Sequence, residues 1–201
     1  MKLWDKNNSV NEKIIEFTVG DDRLNDLYLI KYDIKASVSH AKMLYRSNLL
    51  SEIECDKIIN ILNEILSQAE AGELKIEKEF EDMHSKIEYI LTDKLGDIGK
   101  KIHTARSRND QVLVSIQLYL IDELNFIKTE VKSLFDLLIN LAKKNKNIIM
   151  PGYTHMRAAM PSSFGLWFSA YAEILIDDVI SLNSTIEIIN QNTLGLSLIH
   201  I

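Results

Sequence analysis

The stretch His103-Thr104-Ala105-Arg106-Ser107-Arg108-Asn109-Asp110-Gln111 gathers two guanidinium groups, two hydroxyls, two carboxamides and an acid where a long apolar periodicity begins. Helix N-termini attract anions, because their first N–H groups are free and the helix dipole is positive there. Arginine adds a planar fork of donors that fits a carboxylate or a phosphate. The set can therefore hold a polycarboxylate or a phosphorylated small molecule. A capped helix start accounts for the same residues, with Asn109 or Asp110 as the cap and the arginines in water. Composition alone does not separate these two readings.

Two further segments carry chemistry. Pro151-Gly152-Tyr153-Thr154-His155-Met156 puts a histidine and a hydroxyl in a Pro/Gly turn between two long periodic stretches. Irregular backbone held by rigid elements is where catalytic groups concentrate. Glu81-Asp82-Met83-His84-Ser85-Lys86 places an acidic pair and a histidine early in a helical pattern, which in isolation reads better as a charged helix start. The histidines His40, His84, His103, His155 and His200 are dispersed and share no paired ligand spacing, so no metal site is expected. No glycine-rich phosphate loop is present.

The elements that must position these groups read as helices. Only two prolines and seven glycines occur in 201 residues. Both prolines, Pro151 and Pro161, fall in one short segment, and no strand-type alternation of useful length appears. A first helix is predicted over Asp22–Arg46, where Leu24, Leu27, Tyr28, Ile34, Val38, Ala41 and Leu44 recur at helical spacing. Ser51 and Glu54 form a capping box that opens the next helix, with Leu50 placed to staple onto Cys55. Ile58, Ile61, Leu62, Ile65 and Leu66 mark its buried face, and Gly72 is its stop. A third helix is predicted over Glu79–Leu95, with Met83, Ile87, Ile90 and Leu91 inward and Gly96 at its end.

A very long helix follows, from near Gln111 to Lys144, about 50 Å at 1.5 Å per residue. Its seam of Leu113, Gln117, Leu120, Leu124, Ile127, Val131, Leu134, Leu138 and Leu141 is apolar save for Gln117. A second long helix spans about Ser162–Asn190, with a seam of Phe164, Phe168, Tyr171, Leu175, Val179, Leu182, Ile186 and Ile189. Leu118, Tyr119, Ile121, Leu137, Ile139, Trp167, Ile174 and Ile176 lie off these seams. Two antiparallel helices cannot bury faces that broad, so further helices are expected, from this chain or from partners. The fold class is all-α. On the helix pattern alone, a coiled-coil or bundle scaffold without chemistry is the favoured reading.

Composition narrows the function classes. Hydrophobic residues make up 46% and charged residues 26%, ordinary for a folded globular chain. The net charge of −6 and the lack of a basic block give no support to nucleic-acid binding. The lone cysteine, Cys55, cannot form an internal disulfide, and its apolar helical setting reads as a buried structural thiol. The opening MKLWDKNNSV lacks a signal-peptide apolar stretch, and no run approaches the ~20 apolar residues of a membrane span. A cytoplasmic protein is expected.

Taken together, the motifs resemble those of the argininosuccinate lyase family. HTARSRNDQV at His103–Val112 resembles the family's HTGRSRNDQ signature, and MPGYTHMRAAMP at Met150–Pro161 resembles MPGYTHLQxAxP. EDMHSKIE at Glu81–Glu88 resembles the ED-x-H segment, and DIKASVSHAKML at Asp33–Leu44 resembles the early helix DIxGSxAHAKML. NQNTLG at Asn190–Gly195 resembles the end of the second long helix. The resemblance implies cleavage of argininosuccinate to arginine and fumarate with neither metal nor organic cofactor. It also implies that His155 is catalytic and that Ser107, Arg108, Asn109 and Thr154 hold the substrate, with His84 as a further substrate-site candidate. A homotetramer is implied, its long helices forming a central bundle and each site drawing on three subunits.

The expected organisation is a small amino-terminal helical domain over 1–110 and two long helices of a truncated central bundle over 111–195. Residues 196–201 are expected to be a non-native tail. Ala105 stands where the family has Gly; if that position takes positive φ, alanine costs about 1 kcal/mol. GDDRL at Gly20–Leu24 stands where many members carry a substrate-contacting Ser, so that contact is not carried over. The family's GSSxMPxKxN loop, which supplies the presumed catalytic Ser, is not among these residues, so turnover by this chain alone is not expected. A related lyase of the adenylosuccinate type and a non-catalytic helical protein, as in lens crystallins, are the competing readings.

Overall fold

The computed structural model describes residues 12–193. In chain order it forms helices α1 (Glu12–Val19), α2 (Asp22–Arg46), α3 (Glu52–Glu70), α4 (Met83–Leu95) and the short α5 (Asp97–Lys100). A 3-10 turn over Lys101–His103 leads into α6 (Arg108–Asn145), then strands β1 (Ile149–Thr154) and β2 (Arg157–Ser163), then α7 (Phe164–Ile189). The chain divides into two compact units. One takes in the chain up to Tyr119 with Asn192 and Thr193; the other runs from Leu120 to Gln191. Leu194 and Gly195, the 196–201 tail with His200, and the MKLWDKNNSV opening lie outside the described residues.

The first unit is built on α2, α3 and α4. Ile30, Ile34, Ala41 and Leu44 of α2 join Ile58, Leu62 and Ile65 of α3 and Met83, Ile87 and Leu91 of α4 in one apolar core. Burying each isoleucine, leucine or methionine among them contributes about 1.5–3 kcal/mol. The predicted bounds of α2 match the structure. Its amino-terminal half does not point inward as expected, for Leu24, Leu27 and Tyr28 are exposed. The inward stripe is instead Ile30, Asp33, Ile34, Ser37, His40, Ala41 and Leu44, an apolar row with polar groups set into it. α1 was not anticipated from the sequence.

Local chemistry sets the helix ends. At α3, the Ser51 hydroxyl accepts from Glu54 N–H and Ser51 N–H donates to the Glu54 carboxylate, completing the expected capping box. Leu50 and Cys55 both enter the core, as the staple requires. Gly72 follows the helix at φ +72°, a conformation glycine adopts without penalty. α4 begins at Met83 rather than at the expected Glu79. Asp82 caps it by accepting from Ser85 N–H at 2.7 Å, and the Asp26 carboxylate takes the Met83 N–H at 2.9 Å. Just before it, the Arg23 guanidinium donates to the carbonyls of Lys78 and Phe80, holding that stretch in turns.

The second unit contains the rest of α6, the hairpin and α7. Lys128 Nζ donates to Asn183 Oδ1 at 2.7 Å. Toward the other end, a Cβ on Gly165 would stand 2.6 Å from Lys146 Cα and 2.9 Å from the Ala142 carbonyl oxygen. α7 thus runs antiparallel to α6, and the close approach at its start requires glycine. Only Gly165 and Ala172 of α7 are buried.

The hairpin departs from the expected absence of strands. β1 and β2 pair antiparallel, with Pro151 opposite Pro161 and a bulge at Gly152/Tyr153. Neither proline can donate to the ladder, and a two-stranded ribbon tolerates this because each strand has an open edge. The paired prolines and the bulge erase the alternation that marks a strand in sequence.

Candidate active site

The signature segment forms the bend into α6. Ala105 sits in the left-handed region at φ +58°. Ser107 is the cap of α6, rather than Asn109 or Asp110. Its N–H donates to Asp110 Oδ2 at 2.8 Å, and its hydroxyl accepts from Asp110 N–H at 3.3 Å. This reciprocal pair moves the helix start three residues earlier than the apolar periodicity indicated, to Arg108. The segment is tied back to α2 at two points. His40 Nε2 donates to the Thr104 carbonyl at 2.9 Å, and Arg106 Nη1 donates to Ser37 Oγ at 3.0 Å.

Beneath the bend lies a network of alternating charge. His84 Nδ1 of α4 pairs with Asp33 Oδ1 of α2 at 3.1 Å, both almost wholly buried. Burial pushes the Asp33 carboxyl up; the Arg106 guanidinium and then the Gln111 side chain oppose that shift. Burial likewise lowers His40, with the Arg106 charge adding to the effect, so His40 favours its neutral form. Arg106 itself is lowered by burial and supported by Asp33 and Asp110.

Arg108 is half-buried at the first turn of α6. Its Nη1 lies 3.4 Å from Asp82 Oδ1 and its Nη2 lies 3.7 Å from Glu88 Oε2. Glu88 Oε2 also pairs with His103 Nε2 at 2.8 Å. Both contacts to Arg108 are longer than those of a tight fork. A cation held loosely at a helix N-terminus can still bind an anion. Asn109, next to it, is exposed.

Of the sequence-predicted residues, the first unit holds His84, Ser107, Arg108 and Asn109, and joins Arg108 to the carboxylates of Asp82 and Glu88. Gly20 turns at φ +49° between α1 and α2, and Arg23 beyond it is engaged with backbone carbonyls. Thr154 and His155 belong to the second unit and are exposed at the hairpin tip. His155 and Met156 form the two-residue turn with φ of +49° and +64°. Non-glycine residues at both positive-φ positions carry strain, a feature common at functional sites.

Sequence reasoning passed over Asp33 and Glu88. A signal for Asp33 existed: a carboxylate on the inward stripe of α2, between Ile30 and Ile34, must have a partner. Glu88 shares the face of α4 with His84 and Leu91, a relation its helical spacing encodes. Among the described residues, no group of three His, Cys, Asp or Glu is arranged to hold a metal ion.

Comparisons with known proteins identify relatives of this chain. Argininosuccinate lyase of Phocaeicola vulgatus is 51% identical over 194 residues, which is 96% of this chain and 44% of that protein. The enzyme of the same name from Thermotoga neapolitana is 47% identical, over 96% of this chain and 49% of its own length. The chain thus spans less than half the length of these relatives. Among solved structures, a class II fumarase from Schistosoma mansoni superposes with a TM-score of 0.74 at 16% identity, covering 97% of this chain and 45% of that one. A fumarate lyase:delta crystallin from Brucella melitensis gives 0.73 at 18% identity, covering 93% of this chain and 48% of that one. At those identities the likeness establishes the helical fold alone. Residues 15–198 match the sequence profile described as lyase, and a match over nearly the whole chain places the protein in the lyase family.

Proposed function

We propose that the chain carries the substrate-holding part of an argininosuccinate lyase, which eliminates fumarate from argininosuccinate and leaves arginine. The observation that carries this reading is Arg108, a half-buried guanidinium at the amino-terminal turn of α6. The Arg108 fork and the free N–H groups of that turn hold a succinyl carboxylate. Exposed Asn109 adds a carboxamide, and Ser107 fixes the turn while its hydroxyl faces the same bend. As charge develops on the carboxylate beside the carbon acid, these donors stabilise it more than they stabilise the substrate. In this reading His155 moves a proton and Thr154 orients the ligand, both supplied to the site by another subunit, as the resemblance implies. His84 acts from below, through its pair with Asp33. Neither metal nor organic cofactor takes part. The working assembly is a homotetramer in the cytoplasm, consistent with the exposed apolar faces of α6 and α7 and with the lack of any described helix long and apolar enough to cross a membrane.

The test is kinetic. A chimaera carries the matched 194 residues in place of the corresponding part of the Phocaeicola vulgatus enzyme. Fumarate release is followed by ultraviolet absorbance. Arg108→Lys keeps the charge and loses the fork, and is expected to lower kcat/KM by about 10²-fold or more. Kinetics that barely change would make Arg108 a solvated helix-start charge and end this reading.

A further inference from the structure

We propose that Glu88 is the positioning residue for Arg108, a carboxylate whose task is to hold the guanidinium in the pose that receives the ligand. The inference rests on the reading of Arg108 given above.

The two carboxylates beside Arg108 are not equivalent. Asp82 Oδ1 is already committed, since it accepts from both Ser85 N–H and Ser85 Oγ, each at 2.7 Å, as the cap of α4. Its 3.4 Å contact with Arg108 Nη1 is secondary to that work. Glu88 lies further along α4 and takes no part in the helix cap. Its Oε2 stands between two cationic or donor groups from the signature segment, His103 at 2.8 Å and Arg108 Nη2 at 3.7 Å. The three side chains are each between a fifth and three-tenths exposed. Solvent therefore screens the pair incompletely, and a ligand can still reach the guanidinium.

His103 anchors Glu88 from the 3-10 turn that precedes the bend, so Glu88 links the start of the signature segment to the first turn of α6. Arginine has several rotatable bonds, and fixing such a side chain at a binding site costs rotamer entropy. A carboxylate at salt-bridge range meets that cost before the ligand arrives. A tight bidentate pair would instead neutralise the fork. The longer contact orients the buried Nη2 and leaves the exposed part of the guanidinium for a second carboxylate.

In the same chimaera, Glu88→Gln keeps the shape and still offers His103 an acceptor, but removes the charge facing Arg108. Because Glu88 sets the pose of the fork before the ligand arrives, and a bound carboxylate can itself draw the fork into place, KM should rise about tenfold while kcat changes less than about threefold. Glu88→Asp, which restores the charge, should recover part of that loss. In the Arg108→Lys background the effect of Glu88→Gln should shrink below about threefold, since a lysine has no second nitrogen to be oriented by Glu88. The proposal is overturned if Glu88→Gln leaves KM unchanged while Arg108→Lys raises it, or if the Glu88→Gln effect is undiminished beside Arg108→Lys. It also falls if both Glu88 variants fail to fold, which would make Glu88 a purely structural group. If Arg108→Lys alone has no kinetic effect, it is the reading of Arg108 that fails.

Discussion

Asp33 and His84 meet 3.1 Å apart between α2 and α4, and neither side chain is more than 3% exposed. The pair joins the early helix to the acidic segment directly under the bend that carries Arg106 and Arg108. Removing one member of a buried pair leaves the other desolvated without compensation. Asp33→Ala also strips Arg106 of its largest favourable charge. We expect a loss of about 3–5 kcal/mol, read as a lower urea midpoint with an unchanged slope. A loss under about 1 kcal/mol would show that water or rearrangement replaces the carboxylate.

Asp26 gives a pH-dependent test. Burial pushes its carboxyl up to about 6; the Met83 N–H pulls it down, and Asp82, Asp22 and Asp33 push it further up. A carboxyl whose folded pKa is raised favours the fold in its protonated form. Its contribution is complete below the unfolded value of 3.8 and is lost as pH rises through about 6. Asp26→Asn keeps an acceptor for Met83 N–H and removes the buried charge. It should stabilise the protein at pH 8 by about 1 kcal/mol, after discounting for the solvent that reaches this half-buried group, and change little at pH 4. Denaturant curves at the two pH values decide it; destabilisation at pH 8 would mean the charge is favourable.

Ala105 occupies φ +58° in the bend before α6. A left-handed alanine is strained, and glycine there is not. Ala105→Gly relieves that strain but gives the unfolded chain more freedom. The balance should favour the variant by up to about 1 kcal/mol, measurable as a higher urea midpoint. A lower midpoint would show that the left-handed conformation is held without penalty.

What the sequence made legible was mostly local. The bounds of α2 follow from apolar spacing, and the start of α3 follows from Ser51 and Glu54, three residues apart. The stops at Gly72 and Gly96 need only the chain's immediate neighbourhood. The start of α4 was misplaced because Asp26 and Arg23, far off in sequence, tie down the preceding stretch. The start of α6 was misplaced because a Ser–Asp reciprocal cap was passed over for Asn109 and Asp110. The hairpin was hidden by Pro151 and Pro161, which read as breakers until they are seen opposite each other. In the candidate site, Arg108 and His155 stood out by motif. Asp33 and Glu88 matter through partners on other elements, and one sequence does not display such pairings. The conformation of Ala105 was legible as a condition, and the condition is met.

In α6, Phe126 is 62%, Leu134 47% and Leu137 55% exposed; in α7, Ile174 is 57%, Ile176 49% and Ile180 59% exposed. These are large aliphatic and aromatic groups on helices that bury only part of their surface against each other, since even the seam residues Ile127 and Tyr171 remain exposed. A soluble protein rarely leaves contiguous apolar area of this extent in water. At about 25 cal/mol per Å², covering it is a strong drive to association, and an antiparallel pair of long helices accepts further helices along its open grooves. The protein should therefore sediment as dimers or larger species, with a coefficient that rises with concentration. Replacing Leu137 and Ile180 with glutamate puts charge on both faces and should shift the distribution toward monomer without loss of helical circular dichroism. A single compact monomer of the unmodified chain across the concentration range would show that these faces do not drive assembly.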